Sequence, residues 1–392
     1  MGIKQLMSLI QEKAPKAIKH LQLDILTGKI VACDASMAIY QFLIATQTMK
    51  QGIGIQEMRD SEGNLTAHLV GLFSRTIQFM ENGIKPVWVF DGKPPELKDH
   101  VLDKRKELKE GAEEEKERAI EAGDLETAKR MAGRSIKITP EMMQDAKKLL
   151  KLMGIPIIEA PSEAESQCAT IAKLGLAYGT ASEDMDSLTF GTNYLLRGFN
   201  SKKEPIIQIE LAQVLAGFGM THDQFVDLCI LCGCDYTTNI PGIGPIKAFK
   251  YIEECKTIEE VIKKIEKENE NPAKKKKYAI PANFNYEESR KLFNEPDVIT
   301  DKAVLQEALK WDKPDEAALK DFLVAGKGFN DVKVENGLKR LKACQGKTNQ
   351  ARLDCFFKAG PPKTSALSNP ATKPTKGGAG AMPGKKSMPA KK

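Results

Sequence analysis

The strongest constraint on the fold is a repeated unit: a short apolar run that stops at an acidic residue and a turn. Ile30-Val31-Ala32-Cys33 stops at Asp34, and Pro86-Val87-Trp88-Val89-Phe90 stops at Asp91. Ile157-Ile158-Glu159-Ala160-Pro161 runs into Glu163 and Glu165. Residues 177–182 run into Asp184 and Asp186, and residues 229–234 into Asp235. Apolar runs this short, bounded by turn residues, read as buried strands, most clearly at 29–34 and 85–91. Residues 155–159 and 205–209 are further candidates, while 65–80 carries apolar side chains at helical spacing. Alternating strand and helix signals predict an α/β fold with a mostly parallel central sheet flanked by helices. In such sheets ligands bind beyond the carboxyl ends of the strands.

That location turns the acids into a charge problem. Seven carboxylates near one sheet edge raise one another's pKa and cannot all stay ionised without cations. Oxygen ligands favour hard divalent ions, Mg2+ foremost, because it keeps several waters and pairs carboxylates with substrate phosphates. Two such ions about 4 Å apart would hold a phosphodiester for in-line hydrolysis. Each acid also has a plainer reading. Ser162-Glu163-Ala164-Glu165 fits a helix capping box with Ser162 as the cap. Asp34 and Asp91 fit turn caps, and Asp184 and Asp186 would share one face of an extended segment.

Net charge has to be located before it is used. The chain carries 59 Lys and Arg against 53 Asp and Glu, a net of +6. Residues 358–392 hold eight lysines and no Asp, Glu or Arg, so the first 357 residues have a net charge of −2. A nucleic-acid-binding body with that balance must gather acids into a site and bases onto a contact surface. The tail is Lys, Pro, Gly, Ala and Ser with almost no large apolar residue, the composition of a disordered segment. Cys229, Cys232 and Cys234 lack a second Cys or His pair at structural-zinc spacing, so reduced thiols are the expectation. No apolar run approaches the roughly 18 residues of a membrane span. The N-terminus lacks the order of a secretory signal.

Residues 92–138 turn to Lys, Arg, Glu and Ala, with Glu114–Arg118 and Glu126–Arg130 at helical i,i+4 spacing. Charge pattern alone reads as a solvated helical excursion. Lys98 and Arg105 stand seven apart, on one helix face just after Asp91. Beside an acidic metal site such bases could grip a phosphate. Tyr40, a turn and a half after Asp34, is either a partly buried core tyrosine or a platform for a base. Thr139-Pro140 opens the next helix as cap and first-turn proline, and Gly154 stops it. Residues 222–256 look helical around Pro241-Gly242-Ile243-Gly244-Pro245, a glycine turn that either links two helices or offers backbone N–H groups to an anion. Helices continue to about 342, interrupted by an exposed loop at Lys274-Lys275-Lys276-Lys277. Leu353, Phe356 and Phe357 fall on one face of a short turn beside the tail and suit a partner's apolar pocket.

In this order the motifs resemble the flap endonucleases, structure-specific 5′ nucleases, in the eukaryotic form that carries a sliding-clamp motif. The resemblance spans residues 1 to about 357. It rests on Met1-Gly2-Ile3, Cys33-Asp34-Ala35-Ser36, Val89-Phe90-Asp91-Gly92-Lys93-Pro94-Pro95 and Ala160-Pro161-Ser162-Glu163-Ala164-Glu165. It rests equally on Ser182-Glu183-Asp184-Met185-Asp186, Gly233-Cys234-Asp235-Tyr236 and Pro241-Gly242-Ile243-Gly244.

The resemblance implies a PIN-like 5′ nuclease fold, with nuclease regions at 1–107 and 139–260. Residues 92–138 would be a helical arch over the single-stranded 5′ end, and 222–256 a helix–two-turn–helix element. Residues 261–342 would be a C-terminal helical region, 350–357 the clamp motif and 358–392 a disordered basic tail. All seven acids would bind or orient two Mg2+ ions, with Mn2+ as a substitute. Asp34, Asp91, Glu163 and Glu165 would serve one side, Asp184, Asp186 and Asp235 the other, with Glu165 shared. Lys98 and Arg105 would act on the scissile phosphate, and Tyr40 would stack on the neighbouring unpaired nucleotide. Gly2, with Met1 removed, would bring its amine near the site. Gly242, Ile243, Gly244 and Lys247 would hold duplex phosphates with help from K+, and Thr66 would help hold a one-nucleotide 3′ flap. Gln350, Leu353, Phe356 and Phe357 would bind the replication sliding clamp, the homotrimeric proliferating cell nuclear antigen. The implied protein is a nuclear monomer, with nucleolar and mitochondrial pools allowed for. It would cut 5′-flapped DNA in Okazaki-fragment maturation and long-patch base-excision repair. Its rivals are a 5′→3′ exonuclease of the same superfamily and a non-catalytic, clamp-recruited DNA adaptor. Seven intact acids argue against the adaptor, since a pure binder gains nothing by repelling phosphates.

Overall fold

Nine strands are present in the described chain: β1 (Ile18–Leu21), β2 (Ile30–Asp34), β3 (Thr48–Lys50), β4 (Gly54–Gln56), β5 (Lys85–Phe90), β6 (Ile157–Glu159), β7 (Gly179–Ala181), β8 (Tyr194–Arg197) and β9 (Ile206–Glu210). They come from a computed structural model that describes residues 2–46, 48–50, 54–56, 58–60, 62–199, 205–270 and 277–345. Seven of them form one sheet in the order β1-β9-β8-β7-β2-β5-β6, and β3 pairs with β4 separately. β6, β5, β2, β7 and β8 are mutually parallel, and β9 runs antiparallel to both β8 and β1. The α/β reading with a mostly parallel sheet therefore holds.

The continuous apolar runs of β2 and β5 follow from cover on both faces. Alternate side chains of one strand enter different cores. Val31, Cys33, Trp88 and Phe90 join Leu69, Leu72 and Phe73 on one face. Ala32, Val87 and Val89 join Cys168 and Ile171 on the other. Trp88 is fully buried and donates its indole N–H to Thr76 Oγ1 at 3.2 Å. Large apolar side chains buried this way contribute about 2–3 kcal/mol each.

The helix signal at 65–80 becomes Ala67–Glu81, packed against Ala35–Thr46 and Asp331–Gln345. Gly71 permits that packing: a Cβ there would lie 2.2 Å from the Phe42 ring. Helix Pro140–Leu152 begins as expected, with Thr139 Oγ1 accepting from Met142 N at 3.3 Å and Gly154 in the left-handed region just past its end. Residues 99–135 form a helical hairpin, Asp99–Glu121 and Leu125–Ser135. Small buried side chains join its two arms, Ala112 and Ala119 on the first and Ala128 and Ala132 on the second. The turn between them is capped by Asp124, which accepts from Thr127 N at 3.0 Å. Helices His222–Cys232 and Pro245–Cys255 flank a twelve-residue non-helical stretch, longer than the break expected at 241–245. Among the described residues no helix is long and apolar enough to cross a membrane. The described cysteines are free thiols.

Candidate active site

Because β6, β5, β2 and β7 are parallel, their carboxyl ends share one edge of the sheet. The chain builds outward from β2 through β5 to β6, then returns to lay β7 on the other flank of β2. The reversal at β2 is a topological switch point, where a crevice opens for ligands. Asp34 ends β2 in register with Val89, and Cys33 pairs with Ala181, which brings Ser182 level with Asp34. Ser182 Oγ donates to Asp34 Oδ2 at 3.1 Å, and Met37 N donates to Asp34 Oδ1 at 3.0 Å.

Two local expectations are corrected. Helix Ala164–Lys173 has Glu163 at its N-cap with no capping side chain, so the Ser162 capping box does not form. The N–H of Ala164 is taken instead by Asp91 Oδ1 at 2.8 Å, reaching over from the end of β5. Asp184 and Asp186 are not extended: Asp186 begins the short helix Asp186–Thr189, and its N–H donates to Asp184 Oδ1 at 3.0 Å. Asp235 stands three residues after the end of helix His222–Cys232. Tertiary demand on these carboxylates outweighs the local turn chemistry read from sequence.

Asp34, Glu163, Asp184 and Asp186 are each no more than 5% exposed, Glu165 and Asp235 are half-buried, and Asp91 is exposed at the rim. Burial, then the charge of Asp91, pushes the Asp34 carboxyl up to about 7. Burial, then Asp34 and Asp91, raises Glu165 well above the carboxylate range, and burial, then Asp184 and Asp235, does the same to Asp186. Burial raises Asp184 as well. These carboxylates are short of positive charge.

The donor set suits hard divalent cations. Asp186 Oδ1 is buried with no hydrogen-bond partner, an expensive state for a carboxylate oxygen without a cation. Gly2 lies against the same pair, with φ of +75°. A Cβ there would come within 1.9 Å of Asp184 Oδ1 and 2.3 Å of Asp186 Oδ1. Among the described residues no three His, Cys, Asp or Glu side chains already converge on one point.

Two cations partly supply the missing charge. Lys98 Nζ donates to Glu163 Oε1 and lies 3.7 Å from Asp235 Oδ2, and Arg105 donates to the same Asp235 oxygen at 2.6 Å. Burial works to lower the Lys98 ammonium's pKa, but Glu163 and Glu165 outweigh it and hold it above its ordinary value. Tyr236 donates its hydroxyl to Glu163 Oε2, so both Glu163 oxygens are held. The helical hairpin roofs the acids and borders an open cavity of about 870 Å3, whose lining includes Asp34, Asp91, Glu165, Lys98 and Arg105 with Leu102, Leu108 and Met131 from the hairpin. Tyr40 lines it too, and its hydroxyl donates to the Gly133 carbonyl at 3.3 Å.

The other candidate residues lie outside this cavity lining. Thr66 is buried at the start of helix Ala67–Glu81. Gly244 caps helix Pro245–Cys255, and the Ile243 side chain is buried in a core, leaving only its backbone for contacts. Lys247 Nζ donates to Gly242 O at 2.9 Å and to Tyr278 Oη at 2.7 Å. Gln350, Leu353, Phe356 and Phe357, the tail at 358–392 and most of the four-lysine run lie outside the described residues. Sequence reasoning missed Ser182 and Tyr236. Both stood inside quoted motifs, but a neutral hydroxyl beside an acid gives no charge or spacing signal.

The chain matches two family models, the XPG N-terminal domain over residues 1–112 and the XPG I-region over residues 154–235. It is 48% identical over 376 residues to flap endonuclease 1 of Tetrahymena thermophila, covering 96% of this chain and 97% of that protein. It is 50% identical over 380 residues to flap endonuclease 1-1 of Paramecium tetraurelia, covering 96% and 95%. Among solved structures it resembles flap endonuclease-1 from Methanococcus jannaschii, with a TM-score of 0.63 and 32% identity over 84% of this chain and 96% of that one. The catalytic core of Rad2 in complex with DNA substrate has a TM-score of 0.67 and 26% identity, covering 87% of this chain and 100% of that one.

Proposed function

Since this chain belongs to the flap endonuclease family, we propose that it cuts branched DNA at the base of a 5′ flap, with associated 5′→3′ exonuclease action. It is a nuclease, a hydrolase of phosphodiester bonds. The observation that carries the reading is one juxtaposition. A helical hairpin brings Lys98 and Arg105 onto a floor of carboxylates at the switch point of a parallel sheet. Bases above acids suit a phosphate that needs cations on both sides.

Asp34, Asp91, Glu163, Glu165, Asp184, Asp186 and Asp235 would hold two Mg2+ ions, directly or through waters, with Mn2+ as a substitute. Such ions supply an activated water and neutralise charge that develops on the phosphate. The chain's own groups do the rest. Lys98 and Arg105 leave Glu163 and Asp235 for the scissile phosphate. The hairpin would act as the arch through which the 5′ strand passes, and its apolar wall limits water there. Tyr40 trades its bond to Gly133 for a stack on the unpaired base. Gly2 brings backbone close to Asp184 and Asp186, where no side chain fits.

Gly242, Ile243 and Gly244 would present backbone groups to the duplex, with Lys247 beside them and K+ as a bridging ion. Thr66 would help hold a 3′ flap. Residues 350–357 would bind the sliding clamp, and the Lys-rich tail fits work on nuclear DNA in replication and long-patch repair. The nucleolus and a mitochondrial pool are secondary locations in this reading. We read 1–107 and 139–260 as the nuclease regions, 92–138 as the arch and 261–342 as the C-terminal helical region. Cleavage of 5′-flap, nicked and blunt duplexes in Mg2+ and in EDTA tests the assignment. Flap cutting that outpaces the others and stops in EDTA is expected; equal cutting of all three would favour a plain exonuclease.

A further inference from the structure

We propose that Tyr236 is a positioning residue that keeps Glu163 aimed at the metal site while Lys98 leaves it for the phosphate, an inference that rests on the function proposed above. Glu163 is 5% exposed and has both carboxylate oxygens engaged by different partners. Oε2 accepts from the Tyr236 hydroxyl, and Oε1 accepts from Lys98 Nζ. The two bonds are not equivalent. The tyrosine hydroxyl sits in the core, on a side chain that is 1% exposed and packed edge-on against Phe293 at 4.9 Å between centroids. Its ring is held by core packing. Lys98, by contrast, reaches Glu163 from the foot of the hairpin, on a flexible stem that also serves Asp235.

When Lys98 moves to a phosphate, Oε1 comes free while Oε2 stays fixed. The freed oxygen then points where the ammonium was, beside Asp235, without a search over rotamers. Lys98 also lies 6.0 Å from the centre of the Tyr236 ring, so one side chain borders both partners of the exchange. Outer hydrogen bonds of this kind typically hold about 10–100-fold in metal affinity or activity. The hydroxyl is the whole of the device, so Tyr236→Phe removes it and keeps the ring packing.

Mn2+ binding to the DNA-free protein, followed by electron paramagnetic resonance, gives a readout separate from turnover. Tyr236→Phe should weaken Mn2+ binding by roughly 10-fold and slow single-turnover flap cleavage by roughly 10–100-fold. Flap affinity in EDTA should stay within about twofold, because the hydroxyl is buried and bonded to Glu163. A double-mutant cycle with Glu163→Gln decides whether Tyr236 works through Glu163. Adding Tyr236→Phe to Glu163→Gln should then cost less than about twofold more. Unchanged Mn2+ affinity in Tyr236→Phe, or fully multiplicative losses in the double variant, would overturn the proposal. Wild type that binds no Mn2+ and cuts no flap would instead sink the functional reading beneath it.

Discussion

Replacing Lys98 by Met should destabilise the metal-free protein and at the same time tighten its hold on Mg2+. Lys98 pairs with Glu163 and lies 3.7 Å from Asp235, with side chains that are 14%, 6% and 16% exposed in that order. Each attraction is worth about 4 kcal/mol before desolvation, taking an effective dielectric near 20. Removing one partner of a buried pair costs about 3–5 kcal/mol, and partial exposure trims this to roughly 2–3 kcal/mol. Met retains the apolar stem, so charge is lost and packing is largely kept. On the proposed site, Mg2+ would have to compete with Lys98 for carboxylate oxygens in the wild type and would meet them unpaired in the variant. The extra stabilisation by Mg2+ measures that difference. About 2 kcal/mol corresponds to roughly 30-fold tighter binding to the DNA-free variant. Urea unfolding above neutral pH, in EDTA and across a Mg2+ series, reads both quantities. Flap cleavage should nevertheless collapse, because the phosphate has lost its base. If Mg2+ stabilises variant and wild type by the same increment, Lys98 does not compete with metal and the reasoning fails.

Three further outcomes are expected. In EDTA the wild type should melt higher as pH falls from about 8 to about 6. Burial and Asp91 push Asp34 up to about 7, and burial raises Glu165, Asp184 and Asp186. Unfolded carboxylates titrate near 4, so the folded state takes up protons first and gains stability as pH drops; melts that rise toward pH 8 would reverse the sign. Gly2→Ala should slow single-turnover cleavage on the order of 100-fold with flap binding nearly kept, because the new methyl would press on Asp184 and Asp186; wild-type rates would remove Gly2 from the site. Phe356→Ala with Phe357→Ala should abolish stimulation by the sliding clamp and leave basal cleavage intact, and unchanged stimulation would withdraw the clamp assignment.

Asp34 and Asp91 were legible because a buried run that ends at an acid is a one-dimensional signal. So were Thr139 and Gly154, since caps and stops depend on a few neighbouring residues. The capping box at Ser162 was legible and wrong. Its logic is local, while the true cap of Ala164 is Asp91, seventy-three residues away in sequence. Asp184 and Asp186 misled similarly, because period-two spacing cannot tell an extended pair from a turn that folds one onto the other. Tyr236 could not be read at all, since its partner Glu163 is equally distant in the chain.

The sequence by itself determined that the buried runs at 29–34 and 85–91 end at Asp34 and Asp91, where charge is concentrated along the chain, and that acids would collect on one edge of a parallel sheet. Those properties follow from hydropathy period and composition, which neighbouring residues carry. Only the tertiary structure decided how the acids are held: Asp34 by Ser182, Glu163 by Tyr236 and Lys98, Asp235 by Arg105, and Asp186 with one oxygen left buried and unpartnered. The reason is physical. Burial and the approach of charges from distant segments set the energy of a carboxylate, and neither exists until the sheet brings its strand ends together.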